Sequence, residues 1–151
     1  MRDVAIEQKM FDMAVALINQ RYPKGWGGAG VVRTEDDSYF TSIFLDNINA
    51  SLNLCIETRA MIEAYKHNRR VTHSLGVARE DEEAAYEILS PCGICQERLR
   101  FWGKEVMVGV TTPDNSLKFV SLEELMPHHW SNVGFIETLE DFEYNLNKNK
   151  I

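Results

Sequence analysis

The sequence predicts an α/β domain with three layers, in which helices cover both faces of a mixed five-stranded sheet. Two observations predict this class. Segments with apolar residues at helical spacing alternate with short apolar segments bounded by turn residues, a pattern typical of strands joined by crossover helices. The chain has 151 residues, which is enough to bury one sizeable core, so we assign residues 1–151 to a single domain.

The first half of the chain predicts two helices on either side of a strand hairpin. Asp3 can cap a helix over 4–19, where apolar residues recur at helical spacing. The glycine-rich segment YPKGWGGAGVV ends this helix and leads into a strand over 29–34, and TEDD is the turn to a returning strand, SYFTSIF. The polar segment LDNINASLN predicts a loop, and a second helix is expected over 55–68.

The second half predicts three more strands and two or three helices. The third strand is RRVTHSLGVA, followed by the charged connection REDEEAAYEI. A third helix begins at Pro91 or Cys92 and ends near Gly103, because glycine suits the position after a helix. The segments EVMVGVTT and LKFVS are the fourth and fifth strands, with the turn PDNS between them. Ser121 caps a short helix, LEELM, which Pro127 ends, and LEDFEYNLNKNK is expected to form a last helix.

Composition and charge exclude several classes of function. The chain is 44% hydrophobic and 26% charged, which is ordinary for a globular protein. No apolar run is long enough to span a bilayer, and the charged start MRDVAIEQKM lacks the apolar core of a signal peptide. The net charge of −7, without a basic run, argues against binding to a phosphate backbone. We therefore expect a cytoplasmic protein with no membrane and no nucleic-acid partner.

The three cysteines are the most informative residues of the chain. Cys92 and Cys95 lie in LSPCGICQERL, and Cys55 lies far upstream in NLCIETRAM. An odd number of thiols would leave one over in a disulfide framework, and the cytoplasm keeps thiols reduced. A Cys-x-x-Cys pair fits either zinc or a thioredoxin-like redox centre. The redox motif does not require a third cysteine, so the set of three favours a metal site.

The expected helix starts would bring these thiols together. If Cys55 and Cys92 stand at the starts of the second and third helices, the partial positive charge of each helix start favours the thiolate form. Cys95 follows Cys92 by one turn on the same face. Three sulfur ligands in tetrahedral geometry favour Zn²⁺. The fourth ligand is then either water, as in catalytic sites, or one of the histidines: His67, His73, His128 or His129.

Glu57 favours the catalytic alternative. It lies two residues after Cys55, and a carboxylate beside a metal-bound water is suited to carry protons to and from a reacting group. A structural zinc site of three cysteines and one histidine, with an incidental glutamate, is the alternative that the residues leave open.

The metal motif resembles the zinc-dependent cytidine deaminase superfamily. CIE is followed by PCGIC, with 37 residues from Cys55 to Cys92, which matches the signature Cys/His-x-Glu…Pro-Cys-x-x-Cys. The resemblance is greatest to the small homotetrameric cytidine deaminases and the blasticidin S deaminases, and extends from YPKGWGGAGVV to ELMPHHW. It implies a cytidine-deaminase-like fold, a hydrolase of C–N bonds in pyrimidine salvage, and a homotetramer or a dimer.

The resemblance also implies roles for individual residues. Cys55, Cys92 and Cys95 would bind zinc, and Glu57 would carry protons to the ring nitrogen and the departing ammonia. Family members often have an arginine directly after this glutamate. Here that position is a threonine, and Arg59, one residue further on, is the candidate to offset the thiolate charge.

Substrate recognition differs from that of the nucleoside deaminases in this family. Those enzymes hold the ribose with Asn-x-Glu, where this chain has Phe44 and Asp46. Asp46 can accept a sugar hydroxyl, whereas Phe44 cannot replace the hydrogen bonds of an amide. Trp26 is the candidate for stacking on the ring, and Asn53 for contact with the base edge.

The sequence therefore leaves three functions to compare. The first is a zinc-dependent hydrolytic deaminase of cytidine, deoxycytidine or a modified cytosine nucleoside. The second is a deaminase of another amino-heterocycle, such as blasticidin S or another aminopyrimidine. The third is a non-catalytic binding protein stabilised by zinc. Deamination of single-stranded nucleic acid uses the same motif but is the least favoured, because the chain is acidic.

Overall fold

The computed structural model describes residues 3–132, which form four α-helices and six strands. The helices are α1 (Val4–Arg21), α2 (Thr58–Lys66), α3 (Gly93–Leu99) and α4 (Leu122–Leu125). The strands are β1 (Gly27–Thr34), β2 (Tyr39–Ile43), β3 (Val71–Arg79), β4 (Glu87–Leu89), β5 (Met107–Gly109) and β6 (Phe119–Ser121). The last helix expected from the sequence falls outside the described residues.

The six strands form one mixed sheet in the order β2-β1-β3-β5-β6, with β4 also paired to β3. The pairing of β3 with β5 is parallel, and the other pairings are antiparallel. Helix α3 belongs to the connection from β3 to β5, as a parallel pair requires a crossover. The predicted α/β class and mixed sheet are confirmed.

The predicted number of strands was wrong by one. The additional strand, β4, lies at the end of the segment that was expected to be a charged connection. The strand has three residues, of which only Ile88 is buried, so it is too short to show an alternating pattern in the sequence. Its pairing with Gly76, Val77 and Ala78 of β3 comes from tertiary structure.

Helices cover both faces of the sheet, as predicted. Successive residues of β1 point to opposite faces: Val31 packs into a core with α1, and Val32 into a core with α2 and α3. The buried residues of α1 are spaced by three or four, so one stripe of the helix faces the sheet, and these are Glu7, Met10, Ala14 and Ile18. None of the described helices combines the length and apolar character needed to cross a bilayer.

Two helix boundaries follow the predicted capping chemistry. Gly103 adopts a positive φ of 119° after the short helical turn that extends α3, a conformation that glycine accepts without strain. Ser121 and Glu124 form a reciprocal capping box at the start of α4. The start of α2 is different, and this difference determines the geometry of the site described below.

His73 is a half-buried imidazole on β3. Its Nδ1 lies 3.0 Å from the Thr72 hydroxyl, and its ring packs against Phe119. Burial lowers the pKa of His73 to about 4, with the charge of Arg33 acting in the same direction and that of Asp3 opposing it. His73 is therefore neutral in the folded chain at pH values where the unfolded chain already takes up a proton.

We expect this histidine to make the protein acid-sensitive. Folding lowers the pKa of His73. The contribution of neutral His73 to the free energy of unfolding is therefore complete above its ordinary pKa near 6.5 and is lost as pH falls toward 4. Replacement of His73 by glutamine should therefore flatten the decrease in unfolding free energy between these pH values. Urea denaturation of metal-free, reduced protein at several pH values measures this, with H67Q at an exposed histidine as control. Equal slopes for wild type and H73Q would contradict the assignment.

Candidate metal centre and active site

The first thiol and the glutamate lie in a turn that precedes α2. We expected α2 to begin at Cys55, but it begins at Thr58, where the backbone N–H donates to the Cys55 carbonyl at 3.1 Å. Glu57 occupies the N-cap position, and its side chain does not cap the helix. Side chains two residues apart on a helix face different directions. This turn instead allows the side chains of Cys55 and Glu57 to approach the other two cysteines together.

Two glycines of the sheet make room for this turn. Gly30 of β1 and Gly76 of β3 are register partners. A Cβ added at Gly30 would lie 2.5 Å from the Ile56 carbonyl oxygen and 2.8 Å from the Glu57 Cα. At Gly76 it would lie 3.2 Å from Glu57 Oε1. Our sequence reasoning missed both glycines, although glycine inside a strand is a known signal for close approach of another backbone.

The other two thiols are positioned by the start of α3. Cys92 is the N-cap residue, and the backbone N–H groups of Cys95 and Ile94 lower the pKa of its thiol. Cys95 lies in the first turn and is fully buried. The preceding Pro91 is fixed by its carbonyl, which accepts a hydrogen bond from the Gln96 amide at 2.8 Å. The helix start therefore presents both sulfurs on one side.

The three sulfurs converge into a group that can hold a metal ion. The Sγ atoms of Cys55, Cys92 and Cys95 all lie within 4.8 Å of one another, and those of Cys55 and Cys92 are 3.4 Å apart. Cys95 Sγ lies 3.5 Å from Glu57 Oε2. Within residues 3–132, no histidine joins this group. His129 instead lies 2.7 Å from the Glu97 carboxylate.

Burial determines the protonation of the site. Glu57 is 4% exposed, and its burial raises the pKa of the carboxyl group. Burial also raises the pKa of Cys55 and of Cys95, for which the negative charge of Glu57 adds to the effect. Burial alone would raise the pKa of Cys92 as well, but hydrogen bonds, first of all from the Cys95 N–H, lower it overall. A bound cation would displace the remaining thiol protons, so metal binding is coupled to proton release.

Three of the four candidate substrate residues line one groove. Trp26, Phe44 and Asp46 border a groove of about 670 Å³, together with Arg21, Tyr22, Ile43 and Leu45. The Trp26 and Phe44 rings meet edge to face, with centroids 6.0 Å apart. An added Cβ at Gly28 would lie within 3.3 Å of both the Trp26 ring and the Ile56 side chain, so the groove wall adjoins the turn that carries Glu57.

Asn53 does not line that groove. Its Oδ1 accepts a hydrogen bond from the Asn47 N–H at 2.8 Å, inside the loop that connects β2 to the Cys55 turn. Leu54 and Leu45 form a short antiparallel bridge in the same loop. The contact that the structure gives Asn53 is therefore one that orders the loop.

An arginine that we did not predict makes a hydrogen bond with the first residue of α2. Arg59, the candidate from the sequence, is exposed, and its charge lowers the pKa of Glu63, an effect second to that of Lys66. Arg98 of α3 instead donates from Nη1 to the Thr58 hydroxyl at 3.0 Å. The spacing of three residues from Cys95 to Arg98 was the available signal, because it places both on one face of a helix.

These features define a class of protein: an α/β protein with a mixed sheet, in which a cysteine group can hold a metal ion beside a protonatable buried carboxyl group. Comparison with solved structures gives the family. The cytidine deaminase from Bacillus anthracis superposes with a TM-score of 0.82, at 45% identity over 95% of this chain and 96% of that chain. This chain belongs to the cytidine deaminase family.

More distant structures share the fold alone. The cytidine deaminase from Mycobacterium leprae has a TM-score of 0.63 at 21% identity, covering 80% of this chain and 97% of that chain. The cytidine deaminase from Burkholderia pseudomallei has a TM-score of 0.64 at 18% identity, covering 86% of this chain and all of that chain. No protein-family model matches the sequence.

We expect the variant Gly30→Ala to disrupt the Glu57 turn. The added methyl group would meet backbone atoms of residues 56 and 57, which cannot rotate away as a side chain can. Overpacking of this kind costs about 1–3 kcal/mol. Urea denaturation measures the cost, and Gly93→Ala is the matched control because its Cβ would meet nothing within 4 Å. Equal stability of the two variants would show that the turn does not depend on the glycine.

Proposed function

We propose that this protein is a zinc-dependent hydrolase that converts cytidine and 2′-deoxycytidine, or a modified cytosine nucleoside, to the uridine product and ammonia. The observation that carries the proposal is the buried carboxyl group of Glu57, 3.5 Å from one sulfur of a three-thiol group. Membership of the cytidine deaminase family supports the same reaction.

The donor set fits zinc. Cys55, Cys92 and Cys95 supply three sulfur donors within 4.8 Å of one another, and soft thiolates in a compact group favour Zn²⁺ over the oxygen-preferring cations. We propose that these three residues hold the ion. When bound, zinc supplies a Lewis acid that brings the pKa of water close to neutrality. Residues 3–132 supply three such ligands rather than four, and this donor set corresponds to a catalytic site rather than a closed structural one.

Glu57 is suited to move the protons of the reaction. Burial raises the pKa of this carboxyl group, which is the direction that a general acid and base working near neutral pH requires. As water adds to the ring carbon that bears the amine, the Glu57 carboxylate accepts the water proton and delivers it to the ring nitrogen. In the second stage the same residue passes the remaining proton to the amine, and ammonia leaves as the carbonyl forms.

A purely structural metal site does not account for this glutamate. Burial of an ionisable group costs free energy that an exposed position would avoid. The sheet also has no side chain at Gly30 and Gly76, which leaves room for the turn that carries Glu57. Neither feature stabilises a structural site, whereas both are expected where a carboxyl group acts in catalysis. We therefore favour the enzyme over a zinc-stabilised binding protein.

We propose that the groove beside the turn holds the substrate. The Trp26 and Phe44 rings would pack against the heterocycle or its substituent, and Asp46 would accept a hydrogen bond from a sugar hydroxyl. A second candidate function is deamination of another amino-heterocycle, such as blasticidin S. Phe44 favours it, because this side chain packs edge to face against Trp26 and offers no hydrogen bond to a ribose.

We also propose a cytoplasmic homotetramer, or a dimer, acting in pyrimidine salvage. Several large apolar side chains are exposed in the chain by itself, and side chains of this kind are often buried when subunits associate. They include Leu45, Ile48 and Leu52 around the loop before Cys55, and Ile62 and Tyr65 on α2. Sedimentation velocity measures the oligomeric state, and a monomer at micromolar concentration would contradict this part of the proposal.

The variant Glu57→Gln tests the reaction. Glutamine keeps the size of the side chain but cannot carry protons, so we expect the variant to bind about one zinc per chain, as wild type does, and to release ammonia at least about 10²-fold more slowly. Elemental analysis and an ammonia assay with cytidine measure the two properties. Wild-type protein without zinc would overturn the metal assignment, and full turnover by E57Q would overturn the role of Glu57.

The variant Asp46→Asn tests the substrate. Asparagine keeps an oxygen that can accept the hydrogen bond but loses the negative charge, which makes such a bond about 1 kcal/mol stronger, so kcat/KM for cytidine should fall about 5- to 10-fold. Cytosine without the sugar is the internal control, and its kcat/KM should not change. If wild type deaminates blasticidin S and neither cytidine nor deoxycytidine, the second candidate function replaces the first.

A further inference from the structure

Two side chains of α3 contact successive residues at the start of α2. Cys95 contacts Glu57 through Sγ at 3.5 Å, and Arg98 donates to the Thr58 hydroxyl at 3.0 Å. Cys95 and Arg98 are three residues apart, so they project from the same face of the helix. The contact between α3 and the Glu57 turn therefore has two adjacent points, one at the thiol group and one beside it.

The Arg98 contact satisfies a buried hydroxyl group. Thr58 is 4% exposed, and a buried hydroxyl without a partner carries a free-energy cost. Arg98 is exposed along most of its length, while its hydrogen bond is part-buried. A bond from a charged donor to a neutral acceptor is stronger and more directional than one between neutral groups. The orientation of Thr58, and with it that of the preceding Glu57, is thus coupled to α3.

This coupling matters because the thiol ligands come from two separate segments. Cys55 belongs to the turn before α2, whereas Cys92, 37 residues further along the chain, is the N-cap of α3 and Cys95 lies in the first turn of that helix. Metal affinity depends on how well the ligands are held in place before the ion binds. A positive charge nearby also opposes the net negative charge that three thiolates give a divalent ion.

We propose that Arg98 is a positioning residue that acts through Thr58 to hold the two metal-binding segments in register. The inference rests on the proposed metal site and adds a residue to it that touches neither metal nor substrate. Arg59, which lies directly after Thr58 in sequence, is not assigned this role, because its charge acts on Glu63, whereas Arg98 donates to the Thr58 hydroxyl.

The test is a double-mutant cycle on metal affinity. Apoprotein of wild type, R98A, T58V and the double variant is titrated with Co²⁺, whose thiolate charge-transfer absorption reports the sulfur ligands directly, and with Zn²⁺ against a competing chelator. Loss of a residue that orients metal ligands typically costs 10- to 100-fold in metal affinity. We expect a loss in that range for each single variant, and no further loss in the double variant, since both remove the same hydrogen bond.

Two controls separate positioning from general destabilisation. T58S keeps the hydroxyl group and should bind Co²⁺ like wild type, whereas T58V should not. R59A removes an arginine one residue away and should leave metal affinity unchanged. Wild-type affinity in both R98A and T58V, or additive losses in the double variant, would overturn the role of Arg98. Failure of wild-type protein itself to bind either metal would instead overturn the proposed function on which this inference rests.

Discussion

The insertion of the Glu57 turn into the sheet is the constraint on which the rest of the site depends. The turn fits only because two paired strands carry glycine at facing positions, Gly30 and Gly76. This places a carboxyl group at 4% exposure, beside the thiol of Cys95. A longer side chain at either glycine would move the turn outward, and the carboxyl group would return to solvent, where its pKa would fall toward the ordinary value.

The electrostatics of the site follow from that burial. Burial disfavours the charged forms of the carboxyl group and the thiols, so the pKa values of Glu57, Cys55 and Cys95 are raised. The start of α3 partly offsets this through backbone N–H groups directed at Cys92. A bound divalent cation would reverse the balance by stabilising the thiolates. Metal binding, proton release and the protonation of Glu57 are therefore parts of one equilibrium.

The groove and the thiol group have different relations to the family. The thiols and Glu57 match the motif of the cytidine deaminases, and 95% of the chain matches one of them at 45% identity. Phe44 and Asp46 differ from the residues that hold ribose in the nucleoside deaminases, and they lie with Trp26 along one groove. A given reaction requires a particular set of catalytic groups, whereas many different side chains can bind a substituent of the substrate. The reaction is accordingly better determined than the substrate.

The sequence by itself determined the α/β class, the ends of several helices and which three cysteines could together hold a metal ion, since each of these is a local pattern of spacing, capping or residue type. It did not determine the strand β4, the start of α2 at Thr58, the paired glycines or the contact of Arg98 with Thr58. The strand β4, the paired glycines and the Arg98 contact join residues that are far apart in the chain, and a local signal such as glycine inside a strand does not identify the partner. Tertiary packing decided them, because only the folded sheet brings Gly30 beside Gly76 and α3 beside the Glu57 turn.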